Sequence, residues 1–156
     1  MSTILVVDDE AAMRELYTRA LAGTYQTSTA RTAEEALDRL VQSSDIHVVV
    51  ADLEMPGRGG SWLVERMRER FPSVAVILAT ANQSVPGTLS LQAAVVCYLV
   101  KPISGDQLRA AVSDALTWHE RQASPSAAAT GAGDPIETWL DRKLTRPHGD
   151  DDTPKR

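Results

Sequence analysis

The sequence predicts an α/β fold in which five strands alternate with five helices and the strands form one parallel sheet covered by helices on both faces. Short β-branched runs alternate with longer segments of helical spacing, which implies right-handed crossovers between parallel strands. Four of the runs are continuously apolar, as expected for strands that are buried on both faces. Polar residues follow these four runs directly. Parallel strands bring such residues to one edge of the sheet, where ligands bind in this fold class.

The strands are predicted in order from five runs of residues. The first, third, fourth and fifth runs are apolar throughout, and the second is shorter and more polar. Each run is as short as strands in globular proteins usually are. The predicted strands lie at 4–7, 26–30, 47–51, 74–79 and 95–100.

The helices are predicted from segments in which apolar residues recur at helical spacing. Thr32 has the properties of an N-cap, and Glu35 three residues later gives the pattern of a capping box. Pro72 ends the third helix, because the residue before a proline disfavours the helical conformation. The predicted helices lie at 11–21, 32–42, 60–70, 82–94 and 104–120.

The predicted fourth helix, at 82–94, has a sequence that opposes helix formation. It contains Pro86, Gly87 and several serine and threonine residues, all of which are poor helix formers. We therefore predict a short or irregular helix that begins no earlier than Pro86.

The composition changes after about residue 121. We predict one domain at 1–121, a flexible linker at 122–134 and a disordered charged tail at 146–156. Between the linker and the tail, an N-cap and proline pattern predicts a short amphipathic helix at 135–145. The residues on its apolar face are Ile136, Trp139, Leu140 and Leu144.

Composition and charge exclude several classes of function. The chain has 156 residues and a formal net charge of −5, which argues against direct nucleic-acid binding. No apolar stretch reaches the roughly 20 residues of a membrane helix, and no secretory signal is visible. Cys97 is the single cysteine, so an intrachain disulfide is excluded and a small structural thiol is expected. We expect a cytoplasmic protein that does not bind membranes.

The three histidines are far apart in the sequence. We expect His47, His119 and His148 to be surface residues that form no metal site.

The residues that follow the apolar runs carry the chemistry. Asp8 and Asp9 follow the first run, Asp52 follows the third, Thr80 the fourth and Lys101 the fifth. Carboxylates that converge at one edge repel one another and favour a hard divalent cation such as Mg²⁺. An amine and a hydroxyl beside that cation suit a phosphoryl group, because phosphoryl transfer depends mainly on positioning and charge neutralisation.

Four motifs in this order resemble those of bacterial response-regulator receiver domains, the CheY-like domains of two-component signal transduction. The resemblance covers roughly residues 2–120. It implies a doubly wound (βα)₅ flavodoxin-like fold with strand order 2-1-3-4-5, to which the composition adds a short C-terminal tail. The motifs are ILVVDDE at 4–10, VVADLEMPG at 49–57, ATA at 79–81 and YLVKP at 98–102.

The resemblance implies a phosphoacceptor and a metal site. Asp52 would accept a phosphoryl group from a phosphohistidine of a sensor histidine kinase or a phosphotransfer protein. Mg²⁺ would be bound by Asp9 directly, by Asp8 through water, by Asp52 and by the backbone carbonyl of Glu54. The Glu54 side chain would add negative charge near the incoming group, and we expect slower phosphorylation than in a Glu54→Asn variant.

The resemblance also implies a conformational switch. Lys101 would pair with Asp52 and then with the phosphoryl oxygens. The hydroxyl of Thr80 would turn towards the phosphoryl group, with the amide of Ala81 nearby. Tyr98 would move inward as the site closes and would change the protein-binding surface. The proline after Lys101 predicts a cis peptide bond.

Three functions are compatible with this sequence. The first is a single-domain response regulator, not an enzyme, that switches protein–protein contacts with an unknown downstream target and has no DNA-binding output. The second is the receiver portion of a longer multidomain regulator or hybrid kinase, in which 104–144 begins a connector. The third is a flavodoxin-like metal-dependent enzyme, which is disfavoured because Asp8, Asp9 and Glu10 stand where a glycine-rich phosphate loop would be.

Overall fold

The computed structural model describes residues 2–81 and 94–123, which contain five strands and four helices. The predicted helices at 82–94 and 135–145 and the predicted tail at 146–156 lie outside the described residues, apart from Ala94. The elements, in chain order, are β1 (Thr3–Val7), α1 (Ala11–Leu21), β2 (Gln26–Ala30), α2 (Ala33–Gln42), β3 (Ile46–Asp52), α3 (Gly60–Arg70), β4 (Ala75–Thr80), β5 (Val95–Val100) and α4 (Gly105–Ala123).

The five strands form one sheet in the order β2-β1-β3-β4-β5, and every neighbouring pair is parallel. This confirms the predicted fold class and strand order. The order reverses between β1 and β3, where ligand sites of doubly wound sheets lie. The registers pair Val7 with Ala51, Asp52 with Ala79 and Thr80 with Val100, so the ends of β1, β3, β4 and β5 meet at the same edge.

Backbone hydrogen bonds continue past the ends of the strands at this edge. The N–H of Leu53 donates to the carbonyl of Ala79 at 2.8 Å, and the N–H of Lys101 donates to the carbonyl of Thr80 at 2.8 Å. The N–H of Asp8 donates to the carbonyl of Ala30 at 3.1 Å. The backbone around the polar residues is therefore bound to the neighbouring strands.

The core consists of the central strands and one face of each helix. The side chains of β1, β3 and β4 are buried on both faces of the sheet, apart from a partly exposed His47, as the continuous apolar runs predict. The largest fully buried core side chains include Leu21 of α1, Leu63 and Met67 of α3 and Leu108 of α4. The core therefore holds the sheet rigidly between two layers of helices.

At the helix starts, the predicted N-cap at Thr32 is present, but the complete capping box lies at a different helix. The hydroxyl of Thr32 accepts the N–H of Glu35 at 3.0 Å, which confirms the N-cap of α2. The carboxylate of Glu35 accepts the N–H of Arg31 at 2.8 Å, one residue earlier than in a capping box. A complete capping box lies instead at α4. There Ser104 and Gln107 exchange side-chain to backbone hydrogen bonds of 2.9 and 3.0 Å.

Helix α4 begins one residue later and ends three residues later than predicted, at Gly105 and Ala123. Gln122 and Ala123, which we predicted as the start of the linker, are therefore helical. The reason is that helical hydrogen bonding continues past the last core contact of α4, made by Trp118. Composition alone marks the change only approximately.

Candidate functional site

Three carboxylates meet at the edge formed by the ends of β1 and β3. Asp8 and Asp52 are 1% and 5% exposed, whereas Asp9 is exposed. One oxygen from each of the three lies within 4.8 Å of the others, and among residues 2–81 and 94–123 no other group of three potential metal ligands is this close. Two buried carboxylates in one place are unfavourable unless positive charge compensates them.

Lys101 supplies part of that positive charge. Its Nζ lies 3.1 Å from Oδ2 of Asp52 and 3.6 Å from Oδ2 of Asp8. Burial raises the pKa of Asp52, and the hydrogen bonds from Lys101 and from the backbone of Glu54 oppose that increase. Burial would lower the pKa of Lys101, but the hydrogen bond and the charge of Asp52 outweigh it, so its pKa is raised. One amine thus faces two carboxylates, which leaves negative charge for a cation to neutralise.

Local backbone contacts fix the orientation of both buried carboxylates. Oδ1 of Asp8 accepts the N–H of Glu10 at 2.9 Å, and Oδ1 of Asp52 accepts the N–H of Glu54 at 3.0 Å. These turns are typical of aspartate at the end of a strand. Arg14 also donates to the backbone carbonyl of Asp8 at 2.7 Å. The second carboxylate oxygens are therefore directed into the site.

The donor set fits Mg²⁺. Oδ2 of Asp8 is buried and accepts no hydrogen bond from any of the described residues. Hard carboxylate oxygens at an open edge are the ligands that Mg²⁺ takes, together with several waters. Asp8, Asp9 and Asp52 are the side chains that could hold the ion. The predicted role of the Glu54 carbonyl as a ligand stays a prediction.

Two glycines allow α3 to begin directly beneath the end of β3. A Cβ on Gly59 would lie 2.9 Å from the carbonyl oxygen of Leu53. A Cβ on Gly60 would lie 3.0 Å from the carbonyl oxygen of Asp52 and 3.0 Å from Cα of Leu53. The glycine-rich loop after Asp52 is thus explained by close backbone packing rather than by ligand binding.

The side chain of Glu54 folds back over the site. Its Oε2 accepts the hydroxyl of Thr80 at 2.5 Å, and its Oε1 lies 3.2 Å from the N–H of Ala81. Thr80 is fully buried, whereas Glu54 and Ala81 are exposed. The sequence predicted that Thr80 and Ala81 act together, but it did not predict that Glu54 contacts both.

Tyr98 lies on β5 and is already buried, with 7% of its surface exposed. Burial raises the pKa of its hydroxyl far above the ordinary value, and the hydroxyl has no hydrogen-bond partner among the described residues. Its predicted inward movement stays a prediction. The predicted cis peptide bond between Lys101 and Pro102 is confirmed.

Tyr17 of α1 is a residue that sequence reasoning treated only as part of an apolar helix face. It is 2% exposed, and its hydroxyl has no partner within the described part of the chain. Burial raises its pKa, and the charges of Lys101, Asp8 and Asp52 also act on it. The signal in the sequence that could have singled out Tyr17 was a hydroxyl-bearing residue on the apolar face of the first helix.

Two of the predicted surface histidines lie together, which the sequence did not predict. His47 and His119 stack with their ring centroids 4.1 Å apart and are partly buried rather than simply exposed. Nδ1 of His47 lies 2.9 Å from the hydroxyl of Ser2, and Nδ1 of His119 lies 2.6 Å from the carbonyl of Ser73. β3 and α4 place the two rings together at the edge opposite Asp52. His148 lies outside the described residues.

The structure therefore brings together most of the predicted site. Side chains from the ends of β1, β3, β4 and β5 converge as expected, and the site contains Asp8, Asp9, Asp52, Thr80, Ala81 and Lys101.

No helix among residues 2–81 and 94–123 is long and apolar enough to cross a membrane.

Comparison with protein-family models gives a match over residues 4–113, to the response regulator receiver domain. Among curated proteins, the chain is 32% identical over 124 residues to the DNA-binding transcriptional regulator NtrC of Escherichia coli K12. It is 35% identical over 115 residues to the alginate biosynthesis transcriptional regulatory protein AlgB of Pseudomonas syringae. These matches cover 78% and 72% of this chain but only 26% and 25% of the relatives. The chain thus spans about a quarter of the length of these relatives.

Solved structures agree with the family match. The response regulator protein TrrA from Thermotoga maritima, solved in complex with Mg(2+)-BeF, is 33% identical with a TM-score of 0.65. The match covers 74% of this chain and 99% of that one. A CheY-like receiver domain protein from Methanospirillum hungatei is 25% identical with a TM-score of 0.71, over 78% of this chain and 98% of that one.

Proposed function

Because this chain belongs to the response regulator receiver domain family, we propose that it is a phosphorylation switch whose acceptor is Asp52. The observation that carries the proposal is the position of the Asp52 carboxylate. It is 5% exposed, lies 3.1 Å from an amine and belongs to a cluster of three carboxylates at the switch point of the sheet. A structural salt bridge does not need the other two carboxylates, and a nucleophile with a metal does.

The proposed reaction transfers one phosphoryl group to the chain. A carboxylate oxygen of Asp52 attacks the phosphorus of a phosphohistidine on a sensor kinase or phosphotransfer protein. A P–O bond forms, the P–N bond breaks, and its electron pair remains on the imidazole nitrogen of the donor protein. Hydrolysis of the aspartyl phosphate restores the carboxylate, so the chain acts as a signalling phosphoacceptor and not as an enzyme with a separate substrate.

Lys101 has two tasks in this reaction. Before transfer, its amine at 3.1 Å compensates the buried charge of Asp52. After transfer, the same amine pairs with the phosphoryl oxygens, because that group carries the larger negative charge. The Thr80 hydroxyl and the Ala81 amide are the proposed donors to the remaining phosphoryl oxygens.

The acidic cluster is the proposed Mg²⁺ site. Bound Mg²⁺ would neutralise the charge that develops on the transferring phosphoryl oxygens. Asp9 and Asp52 would hold the ion directly, Asp8 through water, and the Glu54 backbone carbonyl would complete the protein ligands. Asp8 supports this assignment, because its buried Oδ2 lacks a hydrogen-bond donor among the described residues.

The proposed output is a change in protein–protein contacts on the surface that includes Tyr98. A net charge of −5 supports an output that does not use direct nucleic-acid contact by this chain. We propose a cytoplasmic location, which the single cysteine and the lack of an intrachain disulfide support. Tyr98 supports a switch role because its buried hydroxyl has no partner among the described residues.

Intact-mass spectrometry after treatment with acetyl phosphate and Mg²⁺ tests the acceptor. We expect the gain of one phosphoryl group in the wild-type chain and none in Asp52→Asn. Chelation of Mg²⁺ should abolish the gain, and an Asp38→Asn variant on the exposed face of α2 should behave like the wild type. A phosphoryl group on Asp52→Asn would refute the assignment of the acceptor.

A second candidate is that these residues are the receiver portion of a longer regulator. The observation that favours it is that NtrC and AlgB are about four times longer than the region they share with this chain. In that case α4 would lead into a connector, and the output would belong to another domain. The length of the protein detected in cell extract with an antibody against the receiver domain separates the two candidates.

A further inference from the structure

We propose that the side chain of Glu54 is an intramolecular competitor for the phosphoryl site, and that it must leave before Asp52 can be phosphorylated. This inference rests on the proposed function, because it assumes that Thr80 and Ala81 donate to the phosphoryl oxygens. It goes further in naming the group that occupies those donors in the unphosphorylated chain.

The contacts of Glu54 resemble those expected of a phosphoryl group. One carboxylate oxygen takes the Thr80 hydroxyl at 2.5 Å and the other takes the Ala81 amide at 3.2 Å. The two oxygens of a single anion thus span the hydroxyl of the last residue of β4 and the amide of the residue that follows it. An anionic acceptor is the type of partner that makes such donors bind strongly.

Occupation of these donors excludes a second acceptor. A hydroxyl carries one proton and a backbone amide carries one, so each donates one strong hydrogen bond at a time. A phosphoryl oxygen that requires either proton must displace the carboxylate. The two anions also repel each other, which prevents them from sharing the donors.

The backbone holds Glu54 next to the acceptor. The N–H of Glu54 donates to Oδ1 of Asp52 at 3.0 Å, so the competing residue is hydrogen-bonded to the nucleophile. The side chain itself is exposed. It therefore has a route out into solvent without movement of the core, and the displacement is reversible.

Displacement has a measurable consequence for phosphorylation. Two hydrogen bonds to a carboxylate must break in the wild-type chain before the phosphoryl group makes its own. We expect Glu54→Ala to be phosphorylated by acetyl phosphate about tenfold faster than the wild type, which corresponds to the loss of roughly one such hydrogen bond. Beryllofluoride with Mg²⁺ mimics the phosphoryl group without a transfer step, and it should also bind Glu54→Ala about tenfold more tightly than the wild type.

The alternative explanation is simple charge repulsion between Glu54 and the incoming anion. The matched control is Glu65→Ala on the exposed face of α3, which removes the same charge without freeing either donor. High salt separates the explanations further, since at about 1 M salt the screening length falls to about 3 Å. Displacement of hydrogen bonds should persist in high salt, whereas repulsion over a distance should not.

The Glu54→Gln variant supplies the remaining distinction. Its amide oxygen still accepts one hydrogen bond from Thr80 or Ala81 but carries no charge. Competition predicts a phosphorylation rate between those of the wild type and Glu54→Ala, while repulsion predicts that Gln and Ala are equal.

The outcomes are decisive. Faster phosphorylation of Glu54→Ala that persists in high salt, with Gln intermediate and Glu65→Ala unchanged, supports competition. Equal rates for the wild type and Glu54→Ala, or a difference that disappears in high salt, overturns it. If Asp52 accepts no phosphoryl group in any variant, the proposed function has failed instead.

Discussion

Replacement of Gly60 by alanine should destabilise the fold because the new methyl group has no space. Gly60 is the buried first residue of α3. The added Cβ would lie 3.0 Å from the carbonyl oxygen of Asp52 and 3.0 Å from Cα of Leu53. Both contacts are to backbone atoms. Leu53 cannot retreat easily, since it donates to Ala79 and accepts from Gly60 at 2.8 and 3.2 Å.

Two opposing effects determine the magnitude. Overpacking of a tight site destabilises by about 1–3 kcal/mol. Alanine in place of glycine in a helix returns about 0.5–1 kcal/mol at most, because the unfolded chain loses less freedom on folding. We therefore expect the free energy of unfolding to fall by about 1–2 kcal/mol. For a chain of this size the melting temperature should fall by about 3–6 °C.

Gly105→Ala is the matched control, because Gly105 is the first residue of α4. There the added Cβ would lie 3.1 Å from a guanidinium nitrogen of Arg109, the far end of a flexible side chain. We expect the free energy of unfolding to stay the same or to rise by up to about 1 kcal/mol, because overpacking does not offset the helical gain there. Urea unfolding of both variants measures the difference. Values for Gly60→Ala and Gly105→Ala within about 0.5 kcal/mol of each other would refute the packing argument.

Three further predictions concern a cap, a titration and the metal site. Thr32→Ala should lower the free energy of unfolding by about 1 kcal/mol, measured in urea, because the N–H of Glu35 loses its acceptor. His47→Gln should weaken the pH dependence of stability below pH 6.5. Burial, and then the nearby ring of His119, lower the pKa of His47 from 6.5, so the unfolded chain binds the proton more readily and stability falls as the pH falls through that range. Asp8→Asn should weaken Mg²⁺ binding by at least about tenfold in calorimetry, because one buried carboxylate is lost.

Each of these predictions has a control. Ser43→Ala, at the other end of α2, should change stability little, because the cap contact there uses the backbone N–H of Ser43. For the titration, the nearby charge of Asp45 raises the pKa of His47 but is outweighed by burial and by His119. A steeper pH dependence of stability in His47→Gln than in the wild type would contradict the lowered pKa. Asp38→Asn should leave Mg²⁺ affinity unchanged, and equal losses in the two aspartate variants would indicate nonspecific charge effects.

The fold and the composition of the site could be predicted because both depend on short-range patterns. A buried parallel strand needs a continuous apolar run, and the residue that follows it must lie at the sheet edge. Asp8, Asp52 and Lys101 were therefore assigned to one site without knowledge of the registers. The joint presence of these residues made the resemblance specific.

The parts that could not be predicted depend on side-chain directions and on distant contacts. His47 and His119 stack because α4 crosses the amino-terminal end of β3, and no local pattern reports that crossing. The contact of Glu54 with Thr80 depends on the register of β3 with β4 and on the direction of an exposed side chain. The linker boundary was early because helical hydrogen bonding continues beyond the last core contact of α4.

The hydrogen bonds that extend the sheet beyond its strands make the backbone of the site move much more slowly than its exposed side chains. The amides of Leu53 and Lys101 are bonded to neighbouring strands at 2.8 Å, so their exchange with solvent deuterium requires opening of the sheet itself. Exposed side chains rotate in picoseconds to nanoseconds, and that of Glu54 can do so once its hydrogen bonds to Thr80 and Ala81 break. The distance between the attachment points of Asp52 and Lys101 is therefore held constant while the groups around them rearrange. Signalling in this chain can begin with rotations of side chains on a backbone that stays in place.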